Sequence, residues 1–182
     1  MTLKLTTSYL EDAVGVFQYY KRLADISMSR LTDEQLVQVL DPEMNSIALI
    51  VKHMVGNMRS RWTDFLTTDG EKPNRNRDQE FVLPAQTKEE LLASWEEGWA
   101  IVFGEISQLT DADLTRTVTI RREEHSVMQA VNRQLAHYPY HCGQIVFLAK
   151  HLCAHNWESL SVPRNRSAEF NQRVAAGESS QR

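Results

Sequence analysis

The sequence predicts an all-α protein, a four-helix bundle with one long crossover loop and a small accessory hairpin. Three observations lead to this fold class. Helix-start signals recur along the chain. Apolar residues follow them at the three- and four-residue spacing of an amphipathic helix. Only one short stretch alternates as a β-strand does. The 182 residues are a natural size for a single domain.

Four long helices are predicted, in order, near residues 8–31, 46–67, 87–109 and 126–154. Their starts are marked by Ser or Thr, whose side chains accept hydrogen bonds from the unpaired N–H groups of a first helical turn. The second helix starts at Ser46, and the capping pairs are Ser8/Glu11, Thr32/Gln35, Thr87/Glu90, Thr110/Asp113 and Ser126/Gln129. Short helical turns are predicted near residues 33–39 and 111–115.

The remaining segments connect these helices. Residues 117–120 are β-branched and alternate, so with residues 123–127 they predict the small hairpin. Residues 69–84 collect Gly, Pro, Asn and charges, which is typical of a long crossover loop between the second and third helices. We expect one domain over residues 1–171 and a polar C-terminal tail over residues 172–182.

Composition and charge exclude several classes of protein. With 42% hydrophobic and 24% charged residues, the chain is neither low-complexity nor disordered. Its longest apolar run is far shorter than the roughly 20 residues of a membrane span, and its N-terminus has no secretory signal pattern. We therefore expect a cytoplasmic protein without membrane contact. The net charge of −4 argues against nucleic-acid binding.

Histidines form the most informative pattern. Two pairs, His137/His141 and His151/His155, are spaced four residues apart, which places two imidazoles on one helical face within reach of a single cation. The first pair lies at the shoulder of the apolar stripe, where a helix meets its neighbour. The second lies at a helix end, where the helix dipole favours a charged imidazole without any metal. For the first pair, a metal site and satisfied core histidines both remain open.

A third histidine lies on the second helix. His53 is off the centre of the apolar stripe, in a column with Ser46, Leu49, Asn57 and Ser60, so it either faces a polar notch or is structural. Residues 137–141 lack the Glu that metalloproteases use as general base, and no Gly-rich phosphate loop is present. Pro139 between the paired histidines predicts a kink.

Two segments resemble a known family. The stretch SVMQAVNRQLAHYPYHCGQI, residues 126–145, resembles the last-helix signature of the DinB-like (YfiT-like) four-helix-bundle superfamily, and SIALIVKH, residues 46–53, is similar to its second-helix signature. The resemblance covers residues 5–171, and the loop and tail look like one functionally undefined subfamily. It implies that His53, His137 and His141 bind a divalent metal ion. It also implies a homodimer.

The function predicted from these observations is that of a divalent-metal-binding protein. Three imidazole ligands leave open positions on Zn²⁺, Ni²⁺ or Fe²⁺, the pattern of a catalytic site. The resemblance implies use of a low-molecular-weight thiol, so a metal-dependent, thiol-dependent S-transferase acting on a small molecule is favoured. The alternatives are a metal-dependent hydrolase and a non-catalytic metal-binding stress or interaction protein. No side chain is identified as a general acid or base.

Basic residues suggest where a substrate binds. Arg75 and Arg77 lie in the crossover loop, and Arg164 and Arg166 lie in the segment 157–171. Guanidinium groups hold anionic groups well, so these four arginines are candidates for binding an anionic substrate. The alternative is that they are ordinary solvated or salt-bridged charges. We expect residues 157–171 to fold back over the end of the bundle and bring Arg164 or Arg166 towards the metal.

Overall fold

The computed structural model describes residues 5–83 and 87–180, and it is mostly helical. The helices are α1 (Tyr9–Ser29), α2 (Asp33–Val37), α3 (Ile47–Trp62), α4 (Lys88–Ile106), α5 (Val127–Leu152) and α6 (Ser167–Ala175), and the strands are β1 (Thr117–Ile120) and β2 (Glu123–Ser126). Short 3-10 helices lie at Asp78–Phe81, Asp111–Thr115 and Ala154–Asn156. The prediction of a mostly helical protein with one small hairpin is confirmed. Within these two ranges, each helix is too short or too polar to span a lipid bilayer.

The four long helices pack around one apolar core. α1 runs along α5, α3 runs along α4, and further contacts join α3 to α5 and α1 to α4. Phe17 of α1 lies in this core, with its ring centroid 5.7–6.3 Å from those of Trp62, Trp99 and Tyr138. Because these aromatic rings come from all four helices, they hold the helices in a fixed mutual arrangement.

The predicted capping residues begin the helices. Thr87 and Ser126 each accept the N–H of the residue three positions later, whose own side chain accepts the capping residue's N–H. Ser46 is fully buried at the start of α3 and accepts the N–H of Leu49 at 3.3 Å. This cap sets where α3 starts, and therefore where His53 lies.

We expect Ser46→Ala to destabilise the protein by about 1 kcal/mol, because it leaves a buried first-turn N–H of α3 without its acceptor. The change is measured as a lower midpoint of urea unfolding. Ser29→Ala is the control, since Ser29 is exposed and its hydroxyl donates to the carbonyl of Ile26 in its own helix. Equal midpoints for both variants would contradict a capping role for Ser46.

α3 ends earlier than predicted. The apolar pattern extends to Phe65, but the helix stops at Trp62, because Thr63 is extended and Asp64 adopts a left-handed backbone conformation with φ of 50°. The carbonyl of Asp64 then accepts the N–H groups of Thr67 and Thr68 in a turn. Phe65 is still buried, with its ring 5.0 Å from that of Trp62. The periodicity thus predicted the burial of Phe65 correctly but not the end of the helix.

The crossover loop packs against α3 and the hairpin. The Ser60 hydroxyl donates to the carbonyl of Gly70 at 2.9 Å and accepts the N–H of Lys72 at 3.0 Å. The Gly70 N–H donates to the carbonyl of Thr119 in β1. The Asp69 carboxylate accepts the N–H groups of Arg121 and Arg122, each at 2.8 Å. The loop is therefore anchored on two sides. Pro84, where the loop was predicted to end, lies outside the described residues.

The C-terminal segment adds a helix that was not predicted. α6 runs through residues 171 and 172, where the boundary between domain and tail was expected. Before it, the Arg30 guanidinium lies 5.0 Å from the ring centroid of Trp157 and donates to the carbonyl of Glu158. This contact fastens the start of the segment to the end of α1.

Candidate metal centre

Three histidines from two helices converge on one point. α3 supplies His53, and α5 supplies His137 and His141. The Nε2 atom of His137 lies 3.4 Å from Nε2 of His53 and 3.1 Å from Nε2 of His141. One ring nitrogen from each histidine lies within 4.8 Å of the others. The structure therefore brings together the three residues that the sequence and the resemblance indicated.

The opposite ring nitrogens are each held by an acceptor. Nδ1 of His53 lies 2.9 Å from the Glu80 carboxylate, and Nδ1 of His141 lies 2.7 Å from the amide oxygen of Gln144. Nδ1 of His137 lies 3.3 Å from the amide oxygen of Gln134. Because these oxygens accept, the protons lie on Nδ1, and each Nε2 presents a lone pair.

Three lone pairs facing one another repel unless a cation lies between them. Imidazoles with a free Nε2 and an Nδ1–H donated to an acceptor are the usual form of a histidine metal ligand. The donor set therefore fits a divalent metal ion.

The two histidines of α5, His137 and His141, are also in the charge state that a metal ligand needs. Burial, together with the neighbouring His141 and His53, lowers the pKa of His137 to about 3. Burial likewise lowers the pKa of His141. Both imidazoles are consequently neutral at pH 7, as ligation requires.

These pKa values predict how stability depends on pH. His137 takes up a proton with a pKa of 6.5 when unfolded and about 3 when folded, so the unfolded state binds more protons between those values. We expect the metal-free protein to lose stability as the pH falls from about 6.5 towards 3. Urea unfolding midpoints at pH 7.5 and pH 5 measure the effect. The drop should be smaller in His137→Gln, and an unchanged drop would contradict the assignment.

Glu80 is the residue of the site that the sequence analysis missed. It is only 6% exposed, although it lies in the crossover loop. Arg75 donates from Nε to Oε1 at 2.8 Å and from Nη2 to Oε2 at 3.0 Å. Burial alone would raise the pKa of Glu80, but the hydrogen bonds from His53 and Arg75 outweigh it and hold that pKa below its usual range. Glu80 is thus an ionised, buried carboxylate beside a candidate ligand.

The partners of the other two histidines had a readable signal. Gln134 precedes His137 by three residues and Gln144 follows His141 by three, so both amides share a face of α5 with their imidazoles. Glu80 has no such relation, because 27 residues separate it from His53. Only the packing of the loop on α3 brings these two together.

Aromatic rings border the histidines. The Phe81 ring stacks on His53 with centroids 5.1 Å apart and an interplanar angle of 26°. On the other side, the Tyr140 ring lies 5.1 Å from His141 and is 63% exposed. His53 is buried, whereas His137 and His141 are half-buried. The α5 side of the site is therefore the side nearer to solvent.

The four candidate arginines lie at different places. Arg75 contacts the site through Glu80, but its three guanidinium nitrogens bind Glu80 and Glu71. The Arg77 guanidinium lies 5.2 Å from the ring centroid of Phe81. Arg164 and Arg166 are exposed, and Arg166 pairs with Glu169. Within residues 5–83 and 87–180, no hydrogen bond, ion pair or ring contact joins either of them to a histidine of the site.

The second histidine pair and Cys142 take no part in the cluster. His151 and His155 are both exposed, and α5 ends between them. Cys142 is buried in the core, where burial raises the pKa of its thiol to about 12. It is therefore protonated near neutral pH and unsuited to act as a nucleophile.

A groove runs along α5 beside Gln144, the hydrogen-bond partner of His141. Its lining is mainly apolar and is formed by Glu43, Met44, Asn45, Ile50, Tyr140, Gly143, Gln144, Phe147 and Leu148. Gln144 lies in this groove and also holds Nδ1 of His141. The groove thus reaches the partner of one histidine, while none of the three histidines lines it.

Comparison with known protein families shows which family the chain belongs to. A family model described as "Protein of unknown function (DUF1572)" matches residues 4–166. The chain belongs to this family. No curated protein and no solved structure matches it. The three histidines, Glu80 and both glutamine partners of this DUF1572 chain all lie within the matched residues.

Proposed function

We propose that the protein binds one divalent metal ion through His53, His137 and His141 and is a metal-dependent enzyme acting on a small molecule. The observation that carries the proposal is the convergence of three Nε2 lone pairs, each fixed by an acceptor on the opposite ring nitrogen. Neutral imidazoles in this arrangement bind Zn²⁺, Ni²⁺ or Fe²⁺.

The number of ligands supports catalysis over a purely structural role. In the part of the chain that the structure describes, the cluster contains three histidines and no fourth His, Cys, Asp or Glu. Three protein ligands leave at least one coordination position open, as in catalytic sites. A divalent ion held there would supply Lewis-acid chemistry, such as keeping a thiol deprotonated near neutral pH.

The specific reaction that we propose is transfer to or from a low-molecular-weight thiol. Cys142 is buried and protonated, so the described site contains no protein thiolate to act as the nucleophile. The α5 side of the site is half-buried, and the groove beyond Gln144 leaves space for a small molecule. Arg77 lies near the site through Phe81 and would favour an anionic group on that molecule. Arg164 and Arg166 remain candidates for the same role.

We further propose that the fold is the four-helix bundle of the DinB-like superfamily. The pairing of α1 with α5 and of α3 with α4 supports this, as does the long connection between α3 and α4. A homodimer and a cytoplasmic location remain predictions, as does the absence of nucleic-acid and membrane partners. Light scattering at micromolar concentration tests the dimer.

Elemental analysis tests the metal, with protein purified without a metal-affinity column. We expect about one divalent ion per chain, and protein without metal that also fails to take up added Zn²⁺, Ni²⁺ or Fe²⁺ would overturn the proposal. A screen of small electrophiles with common cellular thiols then tests turnover. Turnover without thiol would indicate a hydrolase, and a metal-loaded protein without any turnover would indicate the non-catalytic alternative.

A further inference from the structure

The geometry points to Glu80 as a positioning residue that sets the orientation and donor strength of His53 at the metal. This inference rests on the proposed metal site and extends it to a residue that would not itself touch the ion. The inference follows from three features of the crossover loop and α3. These are the hydrogen bond from His53 to Glu80, the space beside Gly56, and the hydrogen bonds from Arg75 to Glu80.

The hydrogen bond determines which nitrogen of His53 is free. Oε2 of Glu80 accepts from Nδ1 at 2.9 Å, so Nε2 faces His137 and His141 with its lone pair. A carboxylate at this position draws the Nδ1 proton towards itself and makes Nε2 a better electron donor. His137 and His141 have neutral amide partners. His53 is therefore the ligand whose ring a full negative charge polarises.

Gly56 makes room for this carboxylate. It lies three residues after His53 in α3, and a Cβ atom on it would lie 2.7 Å from Cδ of Glu80 and 3.1 Å from Cγ. Real Cβ atoms do not approach so closely, so any larger residue would push Glu80 out of position. The glycine costs some helix stability, and the space that it leaves is filled by Glu80.

Arg75 fixes the carboxylate from the other side. Its guanidinium binds both oxygens of Glu80, and its remaining terminal nitrogen binds Glu71 at 3.1 Å. The side chains of Arg75 and Glu80 are 5% and 8% exposed. A bidentate pair of this kind permits one orientation of the carboxylate, so Glu80 cannot rotate away from His53. Stacking of Phe81 on the His53 ring further restricts that ring.

Titration of the metal-free protein with Co²⁺ tests the inference, because the visible absorption of bound Co²⁺ reports both affinity and coordination geometry. We expect Glu80→Gln, which keeps an acceptor but removes the charge, to weaken Co²⁺ binding about 10-fold. Glu80→Ala should weaken it about 100-fold and alter the absorption spectrum. Glu97→Gln is the charge control, since Glu97 forms an exposed ion pair with Arg59 away from the site.

A double-mutant cycle separates positioning from general damage to the fold. We expect Gly56→Ala to weaken binding about as much as Glu80→Ala, and the double variant to bind no more weakly than Glu80→Ala alone. Gly104→Ala is the matched control, because Gly104 is also helical and a Cβ there meets no atom within 4 Å. If Glu80→Ala does not fold, the Glu80→Gln and Gly56→Ala variants still decide the question.

The outcomes distinguish this inference from the proposed function. Wild-type protein that does not bind Co²⁺ would remove the metal site itself and the role of Glu80 with it. Wild-type protein that binds, with Glu80→Gln and Gly56→Ala binding equally well, would overturn only the positioning role. Additive losses in the double variant would also overturn it, because they would show that Gly56 and Glu80 act independently.

Discussion

Alanine at His137 is expected to lower the affinity for divalent metal by more than about 100-fold. The Nε2 atom of His137 lies within 3.4 Å of the Nε2 atoms of both other histidines. Its loss therefore removes the ligand that lies close to both of the others. Loss of a direct ligand should lower the metal affinity more than loss of a hydrogen-bond partner of a ligand, which typically lowers it 10- to 100-fold. Competition titration with a chromophoric chelator measures the affinity.

The same variant should keep its helical content, because the apolar core is built by other residues. Circular dichroism of the metal-free protein checks this. His151→Ala is the control, since His151 is an exposed histidine on the same helix. Tight binding retained in His137→Ala, or lost equally in His151→Ala, would contradict the assigned ligand set.

Trp62→Ala is expected to destabilise the metal-free protein by about 3–5 kcal/mol. Its side chain is fully buried, packs edge-on against Phe17 and donates its indole N–H to the Tyr138 hydroxyl at 2.9 Å. The variant would leave a cavity at the centre of the helices and take away a buried donor. The free energy of unfolding in urea measures the loss.

Trp157→Ala provides the comparison for this effect. Trp157 is half-buried at the edge of the core and contacts Arg30, so its removal should cost much less than that of Trp62. If the two tryptophan variants lost equal stability, the central position that we assign to Trp62 would be wrong.

Much of the fold could be predicted because its signals are local. The capping residues Ser46, Thr87 and Ser126 begin the helices as predicted, and β1 has the predicted bounds, because capping and alternation act over only a few residues. The end of α3 could not be predicted in this way. It depends on the backbone conformations of Thr63 and Asp64, while the apolar pattern continues to Phe65 because Phe65 is buried by tertiary contacts.

The residues of the site also differ in how well the sequence predicts them, because some have local signals and others depend on tertiary contacts. The spacing of His137 and His141 marks a shared helical face. The periodicity of α3 placed His53 in one column with Asn57 and Ser60, and all three are buried in the structure. That His53 faces the pair came from the family resemblance, because periodicity cannot show which helix faces which. Glu80 had no pattern at all, since only tertiary contacts between the loop and α3 bring it to His53.

The anchoring of the crossover loop limits how its length can vary. Long surface loops usually accept deletions, because few buried groups depend on them. Here the backbone of Gly70 and Lys72 satisfies the buried hydroxyl of Ser60, so removal of this stretch would leave an unpaired polar group inside the protein, at a cost of about 1–3 kcal/mol. We therefore expect deletions within residues 69–83 to destabilise the protein as deletions in the core do, although their regular structure is one turn of 3-10 helix.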